Sequence, residues 1–165
     1  MSAGMSKHTS PVSVKDEWLT PPWLLEKLGP FDLDPCAPVA RPWDTAKRHY
    51  TIEDNGLLLP WEGRVWLNPP YDKTIGDFIT RLRLHGNGLA LIYAWTDTEL
   101  WQREVFPRAS AVLLIEGRLH FHHVTGERAT HNCGAPSALI AYGHTEVETL
   151  RCANIPGYFI DLRKS

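Results

Sequence analysis

Leu89-Ala90-Leu91-Ile92-Tyr93-Ala94 is an unbroken apolar run. Such a run marks a strand buried on both faces, and it commits the chain to a layered fold with cover above and below. Residues 111–115 and 138–142 are two further strands, and 31–34 and 64–67 are shorter ones. Helical spacing lies between them: Ile75, Phe78, Ile79 and Leu82 predict a helix over 74–84, and 97–106 is another. A short helix over 21–28 has Thr20 as its N-cap and a proline in its first turn, and Gly29-Pro30 ends it. Strand–helix alternation of this kind builds a parallel sheet with helices on its faces. No clear helix joins 111–115 to 138–142, so the second is expected to run antiparallel at an edge. Residues 37–60 are polar and aperiodic and predict no element.

Length and charge narrow the class. With 165 residues and 43% hydrophobic content, the chain has the material for one domain, expected over 16–165 after a loose polar tail at 1–15. Seventeen basic residues against nineteen acidic ones give a formal charge of −2. That excludes a protein holding nucleic acid mainly through a bulk positive field, but leaves room for a local basic groove. Three widely spaced cysteines predict no disulfide framework and a reducing compartment. No apolar stretch approaches the roughly 20 residues of a membrane span, and the start lacks a secretory leader. An intracellular soluble domain is expected.

In layered α/β sheets ligands bind beyond the carboxyl ends of the strands. That rule points to Asp34 and to Asn68-Pro69-Pro70-Tyr71, each just past a strand. Two consecutive prolines fix the backbone and remove two N–H donors, which leaves the carbonyls of Asn68 and Pro69 as acceptors in a set direction. Asn68 adds a side-chain oxygen, and Tyr71 offers a flat face for stacking. The set suits an exocyclic amine on an aromatic ring, whose lone pair is delocalised and poorly nucleophilic. Two acceptors aimed at its N–H bonds favour pyramidal nitrogen and stabilise the positive charge that develops on attack. The bland alternative is a Pro-Pro turn with Tyr71 as a rim aromatic.

Asn68-Pro69-Pro70-Tyr71 resembles the catalytic motif of amino-group methyltransferases that use S-adenosylmethionine. Further pieces occur in the order found in the phage-type DNA N6-adenine methyltransferases. They include Asp16-Glu17-Trp18-Leu19-Thr20-Pro21, Phe31-Asp32-Leu33-Asp34-Pro35-Cys36-Ala37, 50–57, 61–71, 96–98, 117–121 and 135–139. The resemblance covers nearly everything after the tail. It implies a shortened Rossmann-like class I methyltransferase fold, with a mostly parallel sheet and an antiparallel edge strand.

The same resemblance implies a cofactor site at Trp18, Thr20, Pro21, Asp34, Pro35, Cys36, Asp54 and Asn68. Relatives follow Asp-Pro with a glycine-rich loop, and here Cys36-Ala37-Pro38 stands instead, which leaves the cofactor pose open. Asp34 either meets the cationic end of S-adenosylmethionine or is a turn residue. Trp18 either closes over the cofactor or packs beneath a helix. Asp54, preferred to Glu53 because it abuts Asn55-Gly56, is the candidate for the ribose hydroxyls, with a solvated loop carboxylate as its alternative. Lys73, Arg81 and Arg118 are the expected DNA contacts; Arg118 equally suits pairing with Glu116, and Arg81 a solvated helix face. His120, His122, His123, His131 and Cys133 match no metal-site spacing, so no metal is assigned; a polar hairpin or a DNA-facing loop is expected.

The resemblance thus implies methyl transfer to the N6 of an adenine flipped from duplex DNA, with catalysis by Asn68, Pro69, Pro70 and Tyr71 and no covalent enzyme intermediate. The space before Asn68 admits no recognition domain, so a short recognition sequence or little sequence preference is expected. Duplex DNA would be the partner, with no obligate protein partner and a monomer or homodimer, in bacterial cytoplasm as a phage or prophage product. Cytosine N4, RNA or a protein amide remain alternative acceptors, and a catalytically silent S-adenosylmethionine- or nucleic-acid-binding module is the alternative of another class.

Overall fold

A computed structural model describes residues 17–164; the tail expected at 1–15 lies outside the described residues. The N-terminal half comprises β1 (Trp18–Leu19), α1 (Pro22–Leu28), β2 (Leu33–Asp34), β3 (Arg48–His49), β4 (Val65–Leu67), α2 (Ile75–His85) and β5 (Gly88–Tyr93). After it come a π-helical turn at Trp101–Val105, β6 (Ala111–Ile115), β7 (His122–His123), β8 (Ser137–Tyr142), α3 (His144–Cys152) and β9 (Gly157–Asp161).

Seven strands form one sheet in the order β3-β2-β4-β5-β8-β6-β9. Pairings β3–β2, β2–β4 and β4–β5 are parallel, whereas β5–β8, β8–β6 and β6–β9 are antiparallel. The sheet is therefore mixed, and the expectation of a mostly parallel sheet with β8 at its edge is corrected. The apolar Ser137–Tyr142 is buried at every position. Such a segment is stabilised by neighbours on both sides, so it inserts between β5 and β6. The edge falls to Gly157–Asp161, half exposed and unforeseen, with Tyr158 72% accessible and a terminal aspartate.

Alternation along the strands sorts the core into two layers. Trp66, Leu89, Leu91, Leu113 and Leu139 face α1 and α3, packing with Leu24, Leu28, Val147 and Leu150. Val65, Leu67, Ala90, Ile92, Val112 and Ile140 face the other way, against Phe78, Ile79 and Leu82 of α2 and Trp101 of the π-helical turn. Helix α2 ends where Gly86 takes a left-handed conformation (φ 73°) that glycine adopts without steric cost. Among the described residues no helix is long and apolar enough to cross a membrane.

An ion pair ties α3 to the start of β4. Glu146 of α3 is fully buried and accepts two hydrogen bonds from Arg64, at 2.5 Å from Nε and 2.8 Å from Nη2. Arg64 also donates to the Pro30 carbonyl at 2.9 Å and lies over the Phe31 ring. It immediately precedes β4, the strand that runs into Asn68-Pro69-Pro70-Tyr71, called the acceptor loop below.

Candidate active site

Asn68-Pro69-Pro70-Tyr71 leaves the carboxyl end of β4, as the strand-end rule requires. Asn68 is half-buried, and its Nδ2 reaches the Trp18 carbonyl at 3.5 Å. A carbonyl only accepts, so this long contact turns the Asn68 side-chain oxygen away from β1. Tyr71 stacks on Tyr93, at the end of neighbouring β5, with ring centroids 4.3 Å apart and planes 27° apart. The Tyr71 hydroxyl accepts the Tyr93 backbone N–H. Burial pushes that hydroxyl far above its ordinary value, so it stays protonated and acts as an anchor. Trp95 stands edge-on to Tyr71 at 6.2 Å and closes an aromatic trio. One face of Tyr71 is thus already covered, while the ring remains 47% exposed.

The turn after β2 lies next to this loop. Asp34 is 3% exposed; one oxygen accepts from the Cys36 N–H at 3.0 Å and the other from the Thr45 hydroxyl. Both hydrogen bonds brace the turn. Burial penalises its anion more than the two hydrogen bonds favour it, and the carboxyl is pushed up to about 6. The Cys36 thiol is pushed up as well, first by burial and then by Asp34 and Asp72. A neutral thiol is no nucleophile, and because β2 and β4 pair in parallel the turn after β2 and the loop after β4 leave the sheet at the same end.

Asp34 carries a testable pH dependence. Between about pH 4, near the unfolded carboxyl's own value, and about pH 6 the folded chain holds a proton that the unfolded chain releases. Stability therefore rises as pH falls through that window and is flat with respect to this group above it. In urea denaturation, wild type is expected to gain on Asp34→Asn only as pH falls from 6 to 4. A difference constant across the window contradicts the assignment.

The third wall comes from the N-terminus and a hairpin between β6 and β8. Strand β1 pairs antiparallel with β7, Trp18 opposite His123 and Leu19 opposite His122, and the Trp18 and His123 rings stand 4.8 Å apart. The hairpin folds back through Ala129 N–H to the Phe121 carbonyl and Cys133 N–H to the Leu119 carbonyl. Thr20, read as the cap of α1, is buried, and Pro21 occupies the cap position with no side-chain hydrogen bond. A cavity of about 150 Å³ opens between Trp18, Tyr93, Phe121, His131 and Cys133. Pockets for whole drug-sized ligands run from about 300 Å³, so this one has the size for a single ring system.

The other expected residues divide. Asp54 is exposed, and one oxygen closes the local turn with the Thr51 N–H and hydroxyl, at 2.8 and 3.1 Å. Two residues on, Gly56 packs against the Pro35 carbonyl so closely that a Cβ there would stand 2.2 Å from the oxygen. The 54–56 segment therefore borders the β2 turn. Lys73 is exposed beyond the acceptor loop. Arg81 donates to the Leu57 and Leu59 carbonyls and lies over the Trp61 ring. Its donors brace the 57–61 segment. Arg118 is exposed and makes no ion pair with Glu116.

Sequence reasoning missed Tyr93 and Trp95. Their signal was present, since aromatics at the carboxyl end of one strand sit beside the loop leaving its parallel neighbour. It also missed the pairing of β7 with β1, which two histidines give no reason to expect.

A mixed sheet with a rigid acceptor loop at its strand ends is compatible with a methyltransferase-like fold. The chain belongs to the DNA N-6-adenine-methyltransferase (Dam) family, whose sequence model matches residues 7–150. Membership implies DNA adenine N6-methylation as the general activity and DNA as the substrate class. No curated protein and no solved structure matches the chain significantly.

Proposed function

We propose that this protein transfers a methyl group from S-adenosylmethionine to the N6 amine of an adenine flipped out of duplex DNA, within a shortened Rossmann-like class I fold. The observation that carries the reading is the joint placement of Asn68-Pro69-Pro70-Tyr71 and a ring-sized cavity at the same strand ends. A stacked adenine keeps its N6 inside the duplex, so the base must leave the stack to reach the loop.

The residues present fit the cofactor by the chemistry of their polar groups. Carboxylates and carbonyls border the β2 turn and the acceptor loop, and such groups favour a cation. Trp18, Thr20, Pro21, Pro35, Cys36, Asp54 and Asn68 would hold it, with Asp34 behind the turn. When bound, S-adenosylmethionine would supply an electrophilic methyl group on a sulfonium, with the thioether S-adenosylhomocysteine as the leaving group and one N6 proton released to solvent. The chain does the rest. The Asn68 side-chain oxygen and the Pro69 carbonyl accept from the two N6 hydrogens, and their fixed directions need no rearrangement as positive charge develops. Pro70 rigidifies the loop, and Tyr71, anchored on Tyr93, contributes aromatic surface for the base. Transfer is direct, and Lys73 and Arg118 contact the DNA backbone.

The test is labelled-methyl transfer to unmethylated duplex DNA, to RNA and to protein, with product nucleosides resolved. N6-methyladenine in DNA is the expected product. Label only in N4-methylcytosine, RNA or protein would move the reading to that acceptor, and saturable cofactor binding without any transfer would replace the enzyme by a binding module.

A further inference from the structure

Nearly every arginine of this chain is committed within the fold. Of the eleven, all in the described region, eight pair with carboxylates: Arg41, Arg48, Arg64, Arg83, Arg103, Arg108, Arg151 and Arg163. Arg81 is held by two carbonyls. Only the guanidiniums of Arg118 and Arg128 have no partner among the described residues, and both line the same surface notch of about 370 Å³. His120, His122 and Trp23 line it too, and no aspartate or glutamate does.

We infer that this notch is a clamp for a DNA phosphodiester, with Arg128 as a DNA contact alongside Arg118. Two like charges in one notch repel each other, and an anion between them removes that cost. The guanidinium fork matches phosphate oxygens in a way a lone ammonium does not. Both histidine rings are held by Nδ1 donating to hairpin carbonyls, His120 to Ala129 at 3.3 Å and His122 to Gly126 at 3.0 Å. Trp23, 40% exposed, gives the notch an apolar wall suited to deoxyribose.

Position supports the same occupant. Side chains alternate along the hairpin, so Phe121 and Ala129 line the ring-sized cavity while His120, His122 and Arg128 line the notch. Cavity and notch are thus the two sides of one ribbon. Duplex DNA carries a phosphate charge per about 1.7 Å of axis, so a duplex that delivers a base to one side has phosphates near the other. The choice of DNA rests on the methyl-transfer reading above.

The test is fluorescence anisotropy of the full chain with an unmethylated duplex across a salt series. Both arginines are exposed and unpaired, so Arg118→Ala/Arg128→Ala is expected to fold normally, which circular dichroism checks. It should weaken binding roughly 10–100-fold at low salt and lower the salt slope by about 2. A control removing two exposed arginines elsewhere, Arg103→Ala/Arg151→Ala, should leave the slope unchanged, and Arg118→Lys/Arg128→Lys should recover it. The clamp is overturned if the double variant behaves like that control, or if its loss is larger on duplex RNA than on DNA. Wild type that methylates DNA while the double variant binds normally sinks the clamp alone. Wild type that binds through both arginines without transferring methyl sinks the methyl-transfer reading alone. Wild type that fails to bind DNA sinks both.

Discussion

Asn68→Ala is expected to lower kcat for methyl transfer to duplex DNA by about 10²–10³-fold, the effect of deleting one preorganised group aimed at developing charge. Substrate affinity should change little, because the contact strengthens only as the amine becomes cationic; kcat and kcat/KM then fall together. Asn68→Asp is the informative companion. It keeps an oxygen acceptor but cannot donate to the Trp18 carbonyl, which orients the native amide. Its rate should fall between those of wild type and the alanine variant. Single-turnover kinetics with both variants decides the matter: an alanine variant within threefold of wild type would remove Asn68 from the chemistry.

Glu146→Ala is expected to cost about 3–5 kcal/mol, since it leaves the Arg64 guanidinium beside a buried void with no counter-charge. For a chain of this size that corresponds to a fall in Tm of roughly 6–20 °C. Replacing both partners, as Arg64→Met/Glu146→Leu, should recover most of the loss, because an apolar pair forgoes the desolvation cost that the ions bear. Thermal unfolding of the two variants checks this. A single variant within 1 kcal/mol of wild type would mean that water reaches the pair.

These two sites differ in how far the sequence exposes them. The apolar runs at 89–94 and 111–115 appear as β5 and β6 almost to the residue, because a strand buried on both faces leaves no alternation to misread. The position of β8 was hidden: apolarity reports burial but not which neighbours supply it. Helix α3 shows only Val147 and Leu150 as buried apolar positions, with a buried glutamate beside them, so periodicity alone could not announce it. The acceptor loop was readable because two prolines act locally. Arg81 was not, since its carbonyl partners come from the aperiodic 37–60 stretch, whose shape is set by tertiary contacts. Asp34 was half-legible, its strand-end place evident and its inward commitment to Thr45 invisible.

The hairpin between β6 and β8 has a different kind of freedom. Those two strands are antiparallel and hydrogen-bonded neighbours, so residues 116–136 leave the sheet and return to it at the same end. A crossover between parallel strands must span a fixed distance, whereas this excursion need only close on itself. Closing a longer loop costs about 0.6 kcal/mol per doubling of its length. The segment can therefore lengthen, shorten or exchange its tip while the sheet and the loop at Asn68-Pro69-Pro70-Tyr71 stay in place.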